Sequence, residues 1–234
     1  MGLNLENLTI RQGGFALTAD LALPTHGHFA VIGPSGAGKS TFLQGLGGFI
    51  PTEAGRMTWQ DSRIDTMPPG QRPLSILFQD QNLFPHLTLA QNLGLGLDPA
   101  LRRVDWAVVE AVLDRVGLHG LGRRKPAQVS GGQQSRAALA RALLRNRPIL
   151  LLDEPFAALG PALKAEMLDL VAETARDALV LMVTHDPQDA LHFAQETLVV
   201  AEGRVSAQRP TADLLANPPA ALAHYLGRNR ALRL

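Results

Sequence analysis

The chain contains no cysteine, which removes disulfides and thiolate metal sites and fits a reducing compartment. Net charge is nearly absent too: 22 Lys and Arg against 21 Asp and Glu leave +1 over 234 residues. A field that weak exerts no long-range pull on nucleic acid or acidic lipid. No stretch approaches the roughly 20 continuous apolar residues of a membrane span. The opening MGLNLENLTI lacks the basic segment and apolar block of a secretion signal. Glu6 stands where N-myristoylation of Gly2 wants Ser or Thr. Internal repeats and low-complexity tracts are also missing.

What remains is a chain with 46% apolar and 18% charged residues, the balance of a globular protein with a sizeable core. Short, continuous apolar runs stand at 29–33 (FAVIG), 75–79 (SILFQ), 148–154 (PILLLDE) and 178–185 (ALVLMVTH). Continuous rather than alternating apolarity predicts strands covered on both faces, as in a parallel sheet. Helices are predicted between them. One runs from Lys39 to Leu46. Asp105 caps a second that Gly117 ends, and Ser130 caps a third that reaches Asn146 before Pro148. A fourth spans Pro161 to Arg176. TLVVAEGRVSAQ (197–208) predicts a hairpin turning at Glu202-Gly203. Residues 82–147 lack strand signals and read as a helical insertion into an α/β core. Pro68-Pro69-Gly70 and Asn217-Pro218-Pro219 mark surface turns.

The run GPSGAGKST comprises Gly33, Pro34, Ser35, Gly36, Ala37, Gly38, Lys39, Ser40 and Thr41. Between a strand and a helix, such a loop wraps backbone N–H groups around the phosphates of a nucleotide. Glycines are needed because side chains would block that approach. The positive end of the following helix points at the anion. Lys39 would contact the β- and γ-phosphates and Ser40 would ligate Mg²⁺. The plain alternative is a Gly-rich turn; the strand before it and the helix after it favour the phosphate.

ILLLDE places two carboxylates at a strand's end, where ligands of open α/β sheets bind. Asp153 would hold Mg²⁺, and Glu154 would orient or deprotonate the attacking water. The alternative is a pair of acids ending a strand in solvent. His185, in VTHD, would hydrogen-bond a γ-phosphate as a neutral imidazole, or serve structure alone. Gln79 would sense Mg²⁺ and water, or cap its strand. VSGGQQSR (129–136) opens a helix with Ser130, Gly131, Gly132 and Gln133, a second anion site. Two such sites in one chain make sense if two copies stack head to tail.

GPSGAGKST, FQ at 78–79, SGGQ at 130–133, ILLLDEP and TH at 184–185, in this order, resemble the ATP-binding cassette family over nearly the whole chain. The resemblance implies a P-loop NTPase (RecA-like) α/β core at 1–81 and 148–234. It adds an inserted α-helical subdomain at 82–147 and an N-terminal antiparallel β subdomain. It implies ATP held by Gly33 to Thr41 and Mg²⁺ held by Ser40, Gln79 and Asp153. Catalysis would fall to Glu154, His185 and Gln79, and Ser130 to Gln133 would complete the site of a second copy. The expected assembly is a head-to-tail dimer on integral membrane permease subunits, served indirectly by a periplasmic substrate-binding protein. It would be peripheral on the cytoplasmic face of a bacterial inner membrane, with no nucleic acid partner. A groove near Gln79 to Asn92, with Leu83, Phe84 and Leu87, would receive a short helix of the permease.

TMPPGQRPLSILFQDQNLFPHLTLAQNLGLGLDPAL (66–101) resembles the thiamine-import branch of the family. Iron, sulfate and polyamine import remain open alternatives, as does a non-transport cassette in DNA repair or translation. Those non-transport proteins usually carry two cassettes or long coiled coils, which this chain lacks. Gly160 stands where the family usually has Asp, and Val129 where it usually has Leu. Arg11 and Phe15 are both candidates for stacking on adenine. His26 and His28 read as a polar turn rather than a metal site. Arg123-Arg124-Lys125 reads as a solvated loop. Arg136, Arg141, Arg145 and Arg147 are expected to face solvent or acids.

Overall fold

A computed structural model describes residues 2–223. The first hairpin pairs β1 (Leu3–Gln12) with β2 (Phe15–Leu23) antiparallel. Leu17, Ala19, Leu21 and Leu23 of β2 keep the period of two that buries one face of a sheet. In β1 the inward set is Leu3, Leu5, Leu8 and Ile10, with a slip after Leu5. A bulge at Asn7, whose φ is 46°, absorbs it, and the register shifts against both neighbours at this point.

After β3 (Gly27–Ile32) and α1 (Lys39–Gly47), the chain returns as β4 (Thr52–Trp59) on the free edge of β1, followed by β5 (Ser62–Arg63). It then enters β6 (Leu74–Leu77). The helices α2 (Leu89–Leu97), α3 (Trp106–Arg115) and α4 (Gly131–Leu144) follow before β7 (Ile149–Asp153). α5 (Pro161–Thr174), β8 (Leu179–Val183), α6 (Pro187–Phe193), β9 (Glu196–Ala201) and β10 (Arg204–Val205) come next. β11 (Arg209–Pro210), α7 (Thr211–Ala216) and α8 (Ala220–Ala223) complete the described chain.

β9, β3, β8, β7 and β6 lie in that order and are all parallel. Every residue of β7 and β8 is buried, as continuous apolar runs require. β10 turns back on β9 through Glu202 and Gly203, both at positive φ, and pairs parallel with β2. That two-residue strand joins the antiparallel and parallel halves into one sheet. Gln79 lies two residues past the end of β6, in an exposed turn rather than in the strand. His28 lies inside β3, not in a turn, and stacks on Phe193 at 4.8 Å.

α4 has two buried faces. Ala138, Leu139 and Ala142 pack on the parallel sheet. Ala137 and Ala140 join Leu89, Leu93, Val109 and Leu113 in a separate cluster with α2 and α3. Alanines let neighbours approach on both sides at no cost in helix propensity. Among the described residues, no helix is long and apolar enough to cross a membrane.

Arg72 pins the far end of α1. Only 3% exposed, its guanidinium donates to Gly45 O at 2.9 Å and Leu46 O at 2.6 Å, and to Met67 O and Asp65 O. It thus supplies donors that the last turn of a helix lacks, at the end where the dipole favours a cation. Arg72→Met should cost about 2–4 kcal/mol, because it strips a charged donor from buried carbonyls. Urea unfolding reads this; an unchanged midpoint would mean that the carbonyls find other donors.

Candidate active site

The loop between β3 and α1 is shaped by its glycines. A Cβ on Gly33 would stand 2.0 Å from Val200 O, so the loop leaves the sheet pressed against β9. Gly38 has φ 101°, and a Cβ there would meet the Phe15 ring at 2.7 Å. Gly38 is also the N-cap of α1, and no side chain caps that turn. Lys39, 9% exposed, folds back so that Nζ donates to Gly33 O at 2.9 Å and Pro34 O at 3.0 Å. Burial lowers its pKa, against the pull of Glu154 and Asp153.

Asp153 ends β7 only 2% exposed, and accepts from Ser40 Oγ at 3.1 Å. Burial raises its pKa. The Ser40 bond and Lys39 oppose that rise, while Glu154 and Asp80 add to it. A hydroxyl beside a carboxylate is a hard-oxygen donor pair suited to a divalent cation. Glu154 has φ 47°, a strained value for a residue with a side chain, and its N–H donates to Val183 O at 3.1 Å. The tie to β8 helps to hold that turn. His185, just past β8, brings Nδ1 to 3.4 Å from Glu154 Oε2. A cavity of about 40 Å³ beside them is lined by Glu154, His185, Thr184, Lys164 and Asp189.

The edge formed by β3, β7 and β8 therefore gathers Lys39, Ser40, Asp153, Glu154 and His185. It does not gather Ser130 to Gln133. Ser130 Oγ accepts from Gln133 N, and Gln133 Oε1 accepts from Ser130 N, so the two cap their own helix. Among the described residues, no hydrogen bond joins this corner to residues 33–41. Gly131 faces open space, whereas a Cβ on Gly132 would meet Leu159 at 2.9 Å. The corner therefore packs on the loop that carries Gly160.

Past Gln79, Gln81 Nε2 donates to Ser135 Oγ at 2.6 Å. Arg141 donates to Asn82 O and Gln81 O and lies over the Phe84 ring. Arg141, partly exposed, thus meets carbonyls rather than an acid: the positive-φ turn at Gln81 and Asn82 turns its carbonyls toward α4. Arg136 donates to Val116 O and Gly117 O at the end of α3. Arg11 is engaged by Glu53 at 2.6 Å, and Phe15 packs against the edge of the core. An apolar groove of about 480 Å³ is lined by Phe49, Phe78, Phe84 and Leu95. Leu83, expected there, turns inward to the cores instead. Sequence reading passed over Lys164 and Asp189 because a helical Lys and Asp far apart in the chain carry no motif. Their signal is only spatial.

The ABC transporter family profile matches residues 18–157. Nearly the whole chain is similar to proteins named thiamine import ATP-binding protein ThiQ. That of Cereibacter sphaeroides is 61% identical over 229 residues, 96% of this chain and 99% of that protein. That of Ruegeria sp. is 56% identical with the same coverage. That of Chelativorans sp. is 47% identical over 94% of this chain and 92% of its own. Among solved structures the chain is similar to the ATP-binding cassette MJ0796, a dimer in a post-hydrolysis state bound to ADP and Pi. The TM-score is 0.77 and the identity 27%, over 89% of this chain and 98% of that one.

The glycines of the loop should respond unequally to a methyl group. Gly33→Ala should cost more than about 3 kcal/mol, since its carbon would enter the Val200 carbonyl. Gly36→Ala, at φ 74° in open space, should cost only the left-handed strain of about 1–2 kcal/mol. Equal losses in urea melts would contradict the packing of this loop on β9.

Proposed function

The chain belongs to the ABC transporter family, and on that footing we propose that it is the ATP-hydrolysing subunit of a bacterial thiamine importer. The observation that carries the catalytic part is the convergence of Lys39, Ser40, Asp153, Glu154 and His185 on one sheet edge. Lys39 holds two carbonyls that triphosphate oxygens would replace. Gly33, Ser35, Gly36, Ala37, Gly38, Ser40 and Thr41 would cradle the phosphates with main-chain N–H groups at the N-terminus of α1, while Pro34, which has no N–H, would shape the turn of the loop. Ser40, Asp153 and Gln79 would hold Mg²⁺; the Ser40–Asp153 pair, 3.1 Å apart, fits that role. When bound, the cation neutralises charge on the phosphates.

Glu154 would take the proton of the attacking water; its N–H on Val183 O holds the backbone, and its carboxylate lies beside His185. His185 would donate to the γ-phosphate, and Gln79 would orient the water. Ser130, Gly131, Gly132 and Gln133 would close the site of a second copy. Ser130 Oγ accepts from Gln133 N, which leaves its own hydrogen free to donate. The dimeric form of the cassette MJ0796 supports such pairing. The apolar groove at Phe49, Phe78 and Phe84 suits a short amphipathic helix of a membrane permease. On this reading the chain would sit on the cytoplasmic face of the membrane, with 1–81 and 148–234 as core and 82–147 as helical subdomain. Thiamine itself rests on the names of the relatives.

Lys39→Ala should remove charge-assisted bonds of about 1.5–3 kcal/mol and weaken ATP binding roughly ten- to hundredfold. Equilibrium dialysis with labelled ATP reads this, and near-normal affinity would refute the role. Glu154→Gln should bind ATP, hydrolyse it about 10²–10⁴ times more slowly and accumulate as a dimer in light scattering. Unchanged turnover removes Glu154 as the base. For the substrate, vesicles carrying the chain with its permease and binding protein should accumulate labelled thiamine only with ATP. Accumulation of another solute in its place would reassign the importer.

A further inference from the structure

We infer that Lys164 is a positioning residue that ties the backbone carrying His185 to the loop Ala157–Gly160. The serine–glycine corner of a copy and its own His185 would then move together. The inference rests on the nucleotide site proposed above. Lys164 stands one turn into α5, with its N–H on Gly160 O at 2.9 Å. Its ammonium, 17% exposed, donates to Asp186 Oδ2 at 3.2 Å and Asp189 Oδ2 at 3.1 Å. Both acids belong to the segment that follows β8. Asp186 caps α6 by accepting from Gln188 N, and Asp189 lies in its first turn.

The same acids close a ring around His185. Thr184 Oγ1 donates to Asp189 Oδ2 at 3.0 Å and accepts from Asp186 N at 3.1 Å. The residues on either side of His185 are therefore held, and both acids end on one ammonium. Burial works against that ammonium, yet the two carboxylates outweigh it and raise its pKa. The His185 side chain is 59% exposed with Nδ1 3.4 Å from Glu154 Oε2, so the ring holds the backbone on either side of an imidazole that faces the carboxylate.

At the other end of the loop, Leu159 packs where a Cβ on Gly132 would stand. Leu159 N donates to Phe156 O, keeping the loop compact. A contiguous set of contacts thus runs from Gly132 through Leu159 and Gly160 to Lys164, Asp189, Thr184 and His185. Gly160 contributes only backbone, and its Cβ position is empty space. In the proposed dimer, the corner serves the nucleotide of the twin while His185 serves its own. Lys164 is the point at which the two are joined within one copy.

The test is a double-mutant cycle of Lys164→Met and His185→Ala, read by single-turnover ATP hydrolysis and by equilibrium binding of MgATP. Lys164→Met should leave MgATP affinity within about twofold and slow hydrolysis by about tenfold or more, the scale on which misplaced groups act. In the His185→Ala background it should add no further loss. Lys164→Arg should recover most of the rate. If Lys164→Met does not fold, Asp189→Asn opens the same ring and should give the same non-additive loss. Unchanged hydrolysis, losses that multiply in the double variant, or an affinity loss equal to the rate loss would overturn the inference. A wild-type chain that hydrolyses no ATP would instead sink the nucleotide site itself.

Discussion

An ammonium buried at a strand's end is costly unless its hydrogens are taken. Lys39 resolves this by curling onto two carbonyls of the loop that precedes it. Asp153 faces the complementary difficulty and accepts from Ser40. Neither group is pinned by a permanent ion pair to the other. Each is satisfied by hydrogen bonds to neutral partners that an incoming phosphate or cation can replace. The burial penalty is offset only in part, since burial still lowers the Lys39 pKa and raises that of Asp153, and a charged ligand would relieve the remainder. The glycine loop, α1 and the ends of β7 and β8 are arranged around this requirement.

The interior uses arginine in one recurring way. Arg72, Arg136 and Arg141 spend their guanidinium donors on main-chain carbonyls: the end of α1, the end of α3 and the turn past Gln79. A planar fork with several donors can satisfy neighbouring carbonyls where a single ammonium would reach fewer. Two of these three contacts finish helix C-termini, where the dipole favours a cation. The third joins α4, which begins at the serine–glycine corner, to the turn beside the apolar groove. Partner docking at Phe84 would thus be felt by the helix that carries the corner.

Legibility in the sequence followed the range of the interaction. The parallel strands were visible because burial on both faces forces an unbroken apolar run, although the runs overshoot the ladders. SILFQ includes Phe78 and Gln79, which the structure leaves outside β6. The caps at Asp105 and Ser130 were visible because capping is local chemistry. β1 was harder, since a bulge at Asn7 interrupts its alternation. The partners of Arg141 are illegible for a clear reason: carbonyl acceptors leave no mark in sequence, so a helical arginine invites an acid where the structure supplies main-chain oxygens. The ring of Lys164, Asp186, Asp189 and Thr184 joins positions across α5, β8 and α6, and no spacing announces it.

One copy nevertheless leaves the sheet edge open. His185 is largely exposed, Gly131 has an open face, and among the described residues the serine–glycine corner makes no hydrogen bond to residues 33–41. Hydrolysis of a phosphoanhydride needs stray water excluded and charge stabilised from several sides. A sheet edge supplies one side only. The corner is a turn held by the reciprocal Ser130–Gln133 cap of α4, with an open face at Gly131, and it rests on the loop that leads to Lys164. The cap serves α4 of its own copy, and the open face at Gly131 is what it leaves over. Under the proposed function that open face is the missing side of another copy's site, and pairing and catalysis become one arrangement.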